Sequence, residues 1–540
     1  VAGLATALGS GAMTNSIGEI GDASAIFAIG TNTTQAHPVL ALQVKKAARN
    51  GAKLIVANPK EIDLCRHATI HLQHRPGTDV PLVMGMVRVI MDEGLADMDF
   101  IKARCENYDE FTASLAEFDL ANVEKVTGVS AELISQAAKM YAQNSPAAIL
   151  YCMGITQHSH GTDNVWSLSN LALVTGNLGK VSAGVNPLRG QNNVQGSCDM
   201  GALPDVYPGY QKVENPESRK KFEQAWGTDL SPAEGLTHSE IFDQIHEGKI
   251  TSLFLVGENP YLSEANANHA IEAMERLDFL VVQDIFLTET AKMAAVVLPA
   301  ASFAEKNGTF SNTERRVQLV RQAIVPPGEA KPDWRIVADI AQKMGAKGFD
   351  YANEEEIMAE IASLTPSYGG ITYARLENSG IQWPCPTQDH PGTPILHMEK
   401  FGTPSGKARL MALSFRDSAE LPDDEYPLLL TTDRSLFHYH TGSMTRRVAG
   451  LDQLASEELL KINPKDAAAL GLEDSEMVQV SSRRGQTRVK TKLTRICPPG
   501  LVSMTFHFAE SPTNVLTSAA LDPIAKIPET KVCAVRVEKV

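Results

Sequence analysis

Over the first 300 residues, short aliphatic runs alternate with stretches in which apolar side chains recur every three or four positions. Ala25–Gly30 (AIFAIG), Lys53–Ala57 (KLIVA) and Ala147–Met153 (AAILYCM) read as buried strands, because each is short, β-branched or aliphatic, and followed by turn formers. Helical spacing occupies Val39–Arg49 and Pro81–Glu93 between them. The pattern then restarts with Ser252–Val256, Phe279–Gln283 and Ala295–Leu298. Strands alternating with helices predict parallel sheet built through crossovers, so the expected class is α/β with two doubly wound units in tandem. From about Pro427 the texture changes to short strands, Pro427–Thr432, Met477–Ser482, Arg488–Thr494 and Val532–Val537, with turns at Arg484-Gly485 and Pro498-Pro499-Gly500. These predict a carboxyl-terminal β-barrel. The intervening residues 334–424 start as a helix (WRIVADIAQKM) and become loop-rich.

Composition narrows the options. A chain of 540 residues with 43% hydrophobic and 21% charged positions is ordinary for a globular protein of several domains. A net charge of −15 argues against nucleic acid or an anionic membrane surface as a partner. No apolar run reaches the roughly 18–20 residues of a bilayer span, so no direct membrane insertion is expected. The seven cysteines are dispersed and form no CxxC pair. They read as reduced thiols of a cytoplasmic protein, and no metal or iron–sulfur site is expected from this chain's own residues. The amino terminus starts at Val1 without a basic leader and reads as the interior of a domain.

In open α/β sheets, ligands sit outside the carboxyl ends of the strands. The first strand is followed by Gly30-Thr31-Asn32, the second by Asn58-Pro59-Lys60, and the third by Met153-Gly154 with Gln157 close behind. Gly77 and Asp79 add a further turn with a carboxylate. In the second unit Gly257-Glu258-Asn259 and Gln283-Asp284 hold equivalent places. Each group alone is an ordinary turn, but five in register suggest a dinucleotide cradle: backbone donors for diphosphate, and Asp, Glu and Asn for ribose and a base edge. A GxGxxG fingerprint for NAD is absent; GSGAMTNS at residues 9–16 precedes the first strand instead of following one.

Residues 187–205, PLRGQNNVQGSCDMGALPD, carry the most specific chemistry. Arg189 is the one cation in a segment of glycines and amides, and a guanidinium fork matches a carboxylate bidentately. Gln191 and its amide neighbours supply neutral donors and acceptors. In the barrel, LLLTTDRSLFHYHTGSMTRR at 428–447 brings together Thr431, Asp433, Arg434, His440 and Arg446, a set suited to phosphate and heterocycle hydrogen bonding. Two histidines at strand spacing without a third ligand are weak evidence for a metal.

The RGQNNVQGSCDMG string resembles the active-site segment of molybdenum- and tungsten-dependent formate dehydrogenases. Glu305–Gln318 (EKNGTFSNTERRVQ) resembles the E-x-x-G-T-x-x-N-x-E-G-R-x-Q segment of the molybdopterin oxidoreductase superfamily, with Arg315 in place of the usual glycine. The 428–447 segment, Asn514, and LDPIAKIPETKVCAVRVE at 521–538 with Lys531 are similar to the family's molybdopterin-dinucleotide-binding barrel of double-psi type.

The resemblance implies a division into dinucleotide-binding α/β domains at 1–191 and 192–300, a segment at 301–333 packing on an iron–sulfur domain, a connector at 334–424 and the barrel at 425–540. It implies Mo or W held by two molybdopterin guanine dinucleotides, with Arg189 orienting formate and the strand-end residues named above holding the cofactor. The substrate pair is formate and CO2. Electrons are expected to leave through a [4Fe–4S] cluster to an iron–sulfur subunit, with a hydrogenase or an NAD-reducing partner beyond it. The metal's cysteine or selenocysteine ligand, its following histidine and the cluster cysteines are expected ahead of Val1, where a selenocysteine codon could have divided the reading frame. A related assimilatory nitrate reductase and a non-catalytic scaffold of the superfamily remain alternatives.

Overall fold

The aliphatic runs pair as parallel strands. A computed structural model describes residues 1–540, and in it Ala25–Ile29, Lys53–Ala57 and Ala147–Tyr151 form the middle of a five-stranded sheet. Ile70–Leu72 and Gly184–Pro187 close its edges, giving the spatial order 70–72, 53–57, 25–29, 147–151, 184–187, with every pairing parallel. Ala25–Ile29 and Ala147–Tyr151 are buried along their whole length, and Lys53–Ala57 at all but its first residue. Alternate side chains serve opposite faces, as the two-residue period of a strand requires. Ala25, Phe27 and Ile29 join one core with helices Asp79–Asp92, Ala131–Gln143 and Gly161–Val174, while Ile26 and Ala28 join another with helix Pro38–Arg49. Helices on both faces make this sheet doubly wound. Its strand order reverses between Ala25–Ile29 and Ala147–Tyr151, which marks the topological switch point.

The second predicted unit is smaller. Ser252–Val256, Phe279–Asp284 and Val296–Pro299 make a three-stranded parallel sheet in consecutive order, so it has no such reversal. The segment after it forms the strands Gly308–Ser311 and Arg316–Val320, joined antiparallel to Ile381–Gln382. Arg315 occupies the intervening turn at φ 67, a left-handed conformation that accounts for a glycine being usual there. Its guanidinium is wholly buried and donates to the carbonyls of Trp383, Thr393 (2.8 Å) and Pro394 (2.9 Å). Nearby, buried Asp199 accepts from Gln195 Nε2, Tyr210 OH, Tyr368 OH and Trp383 Nε1 at 2.6–2.9 Å.

The carboxyl-terminal strands close into a six-stranded barrel, in the order Leu428–Thr432, Leu501–Met504, Leu459–Ile462, Gln486–Leu493, Met477–Ser481, Cys533–Lys539. Its interior is filled by Leu430, Leu460, Ile462, Val478, Val480, Val502, Met504 and Val535, all fully buried.

By internal contacts the chain divides into two compact units. One comprises Val1–Gly190, Leu262–Asn268 and Ile395–Val540; the other comprises Gln191–Tyr261 and His269–Pro394. The five-stranded sheet and the barrel therefore belong to one unit, and the three-stranded sheet to the other. No helix is long and apolar enough to cross a membrane.

Candidate functional site

At the switch point two glycines meet. Gly30 ends its strand at φ 56 and accepts a hydrogen bond from Gly154 N at 3.0 Å. A Cβ on Gly154 would stand 2.5 Å from the Gly30 carbonyl oxygen, so the close approach of these loops depends on the missing side chain. Around them lie buried polar atoms with no protein partner: Thr31 Oγ1, Thr33 Oγ1, Gln157 Oε1 and Asn186 Oδ1. Unpaired buried groups are costly, and their clustering at the carboxyl ends of the strands suits a polar ligand.

The second strand leads to Lys60, which is almost entirely buried. Its ammonium pairs with Asp433 and donates to Ser503 Oγ at 3.1 Å, joining the sheet to the barrel. Lys461 also reaches Asp433, at 3.3 Å. Burial pushes the Asp433 carboxyl up, but Lys60 and Lys461 overcome this and hold it far below the usual carboxylate range. Lys531 donates to Thr432 O at 2.8 Å and Oγ1 at 3.0 Å. Its pKa is pushed down to about 7 by burial and by Arg434, with Asp433 acting the other way. Arg434 is lowered to about 10 by burial and lies 4.0 Å over the Phe506 ring. Four cations, Lys60, Lys461, Arg434 and Lys531, thus surround one carboxylate in a buried setting. Such an excess of positive charge is costly without an anion and suits a diphosphate.

Burial favours the neutral form of two histidines beside this group, His440 and His507. His507 Nδ1 donates to the His440 carbonyl while its Nε2 accepts from Ser435 N at 3.0 Å. Burial, and then Arg434, lower His440 to about 4. Burial is also the main cause at His507, which is lowered to about 3. Arg189 follows the edge strand Gly184–Pro187. Its carbonyl accepts from His37 Nε2 at 2.7 Å, and its guanidinium lies 3.5 Å from Gly11 O. Its charge acts on Tyr151 and on half-buried Cys152, which also feels Arg434 and Lys531. The predicted carboxylate clamp therefore borders the cation group.

Other predicted residues have structural work. Asn32 bonds within its own turn to Gln35 and Thr34, and Asn58 Oδ1 accepts from Lys60 N. Met153 starts a one-turn helix and Gly77 a left-handed turn. Thr431 is buried within its strand. Arg446 is engaged by Asp452 and Glu510, and Asn514 donates to Leu262 O at 2.7 Å. Asp79 faces His74 Nε2 at 3.0 Å inside the protein. In the other unit, Asn259 bonds Thr290 and Glu289, Gln283 Nε2 bonds Asp333, and Asp284 Oδ1 accepts from Phe286 N. There Gly257 N donates to Gln283 O, Glu258 is exposed, and Gln191 is half-buried. Reasoning from sequence missed Lys461, Ser503, Cys152, His158, His507 and Glu529. The first two sit on barrel strands that were not foreseen.

Comparison with known proteins identifies the family. Residues 4–343 match the molybdopterin oxidoreductase family, and residues 428–534 match the molybdopterin dinucleotide binding domain. The chain is 50% identical to the F420-dependent formate dehydrogenase subunit alpha of Methanocaldococcus jannaschii, covering 100% of itself and 80% of that protein. It is 42% identical to formate dehydrogenase H of Escherichia coli, over 100% of itself and 76% of the relative. The assimilatory nitrate reductase catalytic subunit of Bacillus subtilis is 38% identical, with 97% and 76% covered. Among solved structures, acetylene hydratase from Pelobacter acetylenicus superposes with a TM-score of 0.79 at 20% identity, covering 100% of this chain and 80% of that one, and so shares the fold. The chain belongs to the molybdopterin oxidoreductase family.

Proposed function

We propose that this chain is the greater part of the catalytic subunit of a formate dehydrogenase, interconverting formate with CO2, a proton and two electrons. The cofactor implied by the family is a pair of molybdopterin guanine dinucleotides carrying Mo or W. The residues present fit such a group: Lys60, Lys461, Arg434 and Lys531 for diphosphate charge, and the unpartnered Thr31, Thr33 and Gln157 side chains for polar heterocycle edges. When bound, the metal and pterin supply the two-electron redox chemistry.

What the chain contributes is binding and orientation. Arg189 clamps the formate carboxylate through paired N–H donors and fixes which way its C–H points. The neutral imidazole of His440 lets hydrogen bonding proceed without adding charge beside Arg434. The buried position of the cation group excludes water, which strengthens its hold on phosphate. The observation carrying this reading is the adjacency of Arg189 to a buried cation excess at the end of the same sheet.

The resemblance implies a cysteine or selenocysteine ligand for the metal and a [4Fe–4S] cluster as the exit for electrons. The acceptor is then an iron–sulfur subunit leading to a hydrogenase, to NAD, or to F420 as the names of the methanogen relatives suggest. The dispersed free thiols support a reducing, cytoplasmic setting for the protein.

Arg189→Lys in the full-length enzyme tests the assignment. Metal and guanine nucleotide content should stay at the wild-type level while kcat/KM for formate falls about 100-fold, about 2.7 kcal/mol at 1.36 kcal/mol per decade, because a point charge cannot form the fork. Unchanged formate kinetics, or turnover of nitrate in place of formate by the wild type, would refute it.

A further inference from the structure

A second buried charged group lies beside the switch point, and its contacts reach both halves of the cradle. His158 follows the one-turn helix Met153–Thr156 and is 2% exposed. Its Nε2 donates to the Gly154 carbonyl at 2.9 Å, which holds the loop that meets Gly30. The opposite ring nitrogen, Nδ1, faces Glu529 Oε1 at 3.7 Å. Glu529 is fully buried and comes from the segment preceding the last barrel strand. Its carboxylate accepts from Ser159 N at 3.1 Å, Ser159 Oγ at 3.2 Å and Ala419 N at 2.8 Å. Seven positions earlier, Asp522 accepts from Thr162 N at 2.9 Å and Oγ1 at 2.7 Å. The stretch 522–529 is therefore fastened to residues 158–162 at two points. Lys531, the buried ammonium of the cradle, follows two residues later, and Thr530 O accepts from Thr432 Oγ1 at 3.1 Å.

We infer that the buried contact between the His158 imidazole and the Glu529 carboxylate positions Lys531 and the Gly154 loop relative to one another, so that the two halves of the dinucleotide cradle close on one ligand. The inference rests on the cofactor reading above. It concerns positioning residues, since neither side chain need touch the cofactor. Burial alone would raise the Glu529 carboxyl, yet the neighbouring His158 and the backbone N–H groups of Ser159 and Ala419 hold it below its ordinary range. A carboxylate kept ionised in a sealed site needs a partner at fixed distance, and that requirement couples the two segments. The other titratable groups facing the pair are His74, Asp79, His160 and Asp163. His160 stacks on His158 with ring centroids 5.4 Å apart, and burial lowers its pKa.

The test uses the full-length enzyme, with bound guanine nucleotide released by acid and quantified per chain after extended dialysis. Glu529→Gln keeps the size and an acceptor oxygen but removes the charge; it should retain at least ten-fold less nucleotide than wild type. Glu529→Asp, which restores the charge, should recover part of that loss. The double variant His158→Gln/Glu529→Gln should lose no more than the worse single variant, as expected for two members of one pair. Ser159→Ala leaves both His158 and Glu529 in place and should change retention less than two-fold. Full retention in Glu529→Gln, additive losses in the double variant, or an equal loss in Ser159→Ala would each overturn the inference. A wild-type enzyme that releases no guanine nucleotide would instead overturn the cofactor reading on which it rests.

Discussion

Replacing Lys531 with methionine removes a buried ammonium and keeps a side chain of similar length. Lys531 titrates at about 7 in the folded chain, against 10.5 for an ordinary lysine. At 1.36 kcal/mol per pH unit, that gap means that charging Lys531 costs the cofactor-free fold about 5 kcal/mol. The sign follows from proton linkage. Below pH 7 both folded and unfolded chains carry the proton, and the full cost is present. Between pH 7 and 10.5 the unfolded chain binds more protons than the folded one, so stability rises with pH by as much as 1.4 kcal/mol per unit. The cofactor-free wild type should therefore show increasing urea midpoints from pH 7 to 9. Lys531→Met should be more stable than wild type at pH 6.5 and lack this rise. Its capacity to take up the dinucleotide should nevertheless fall at least ten-fold, because an anion that would offset the charge has lost its partner. Equal pH slopes in the two proteins, or undiminished dinucleotide binding by the variant, would refute the argument.

Two further outcomes follow from local geometry. Gly154→Ala forces a Cβ to within 2.5 Å of a backbone oxygen, and the strand-end loops must separate; a loss of about 2–4 kcal/mol is expected by chemical denaturation, with a parallel drop in cofactor content. Arg315→Ala leaves the carbonyls of Trp383, Thr393 and Pro394 without their donor in a buried site, for a loss of about 3 kcal/mol, while Arg315→Lys should recover less than half of it because one ammonium cannot span the three acceptors.

The parallel strands were legible because they are continuous aliphatic runs, which is how a strand buried on both faces reads. Ile70–Leu72 and Gly184–Pro187 were not, since three residues around a histidine and four ending in proline carry no period. Their absence hid the strand order, and with it the switch point between Gly30 and Gly154. The barrel strands Leu459–Ile462 and Leu501–Met504 are equally short, so Lys461 and Ser503 went unforeseen although Asp433 was anticipated. Polar residues after strands take part in the hydrogen bonding of the strand-end loops. Asn259, Gln283 and Asn514 sit where expected and spend their hydrogen bonds on neighbouring protein segments. Glu529 and His158 lie 371 positions apart, and no local pattern in a sequence announces such a pair.

The Lys60–Asp433 pair spans 373 positions, and the Ser159–Glu529 bonds span 370. Contacts of that range form only when most of the chain is available to fold, and closing such long loops makes them late events. During synthesis the five-stranded sheet can assemble long before its barrel has been made, and in that interval the sheet's ligand loops lack their four-cation lid. A cofactor meeting the nascent chain would find only half a binding site. Loading therefore belongs after release from the ribosome, when the last strand has entered the barrel and brought Lys531 with it.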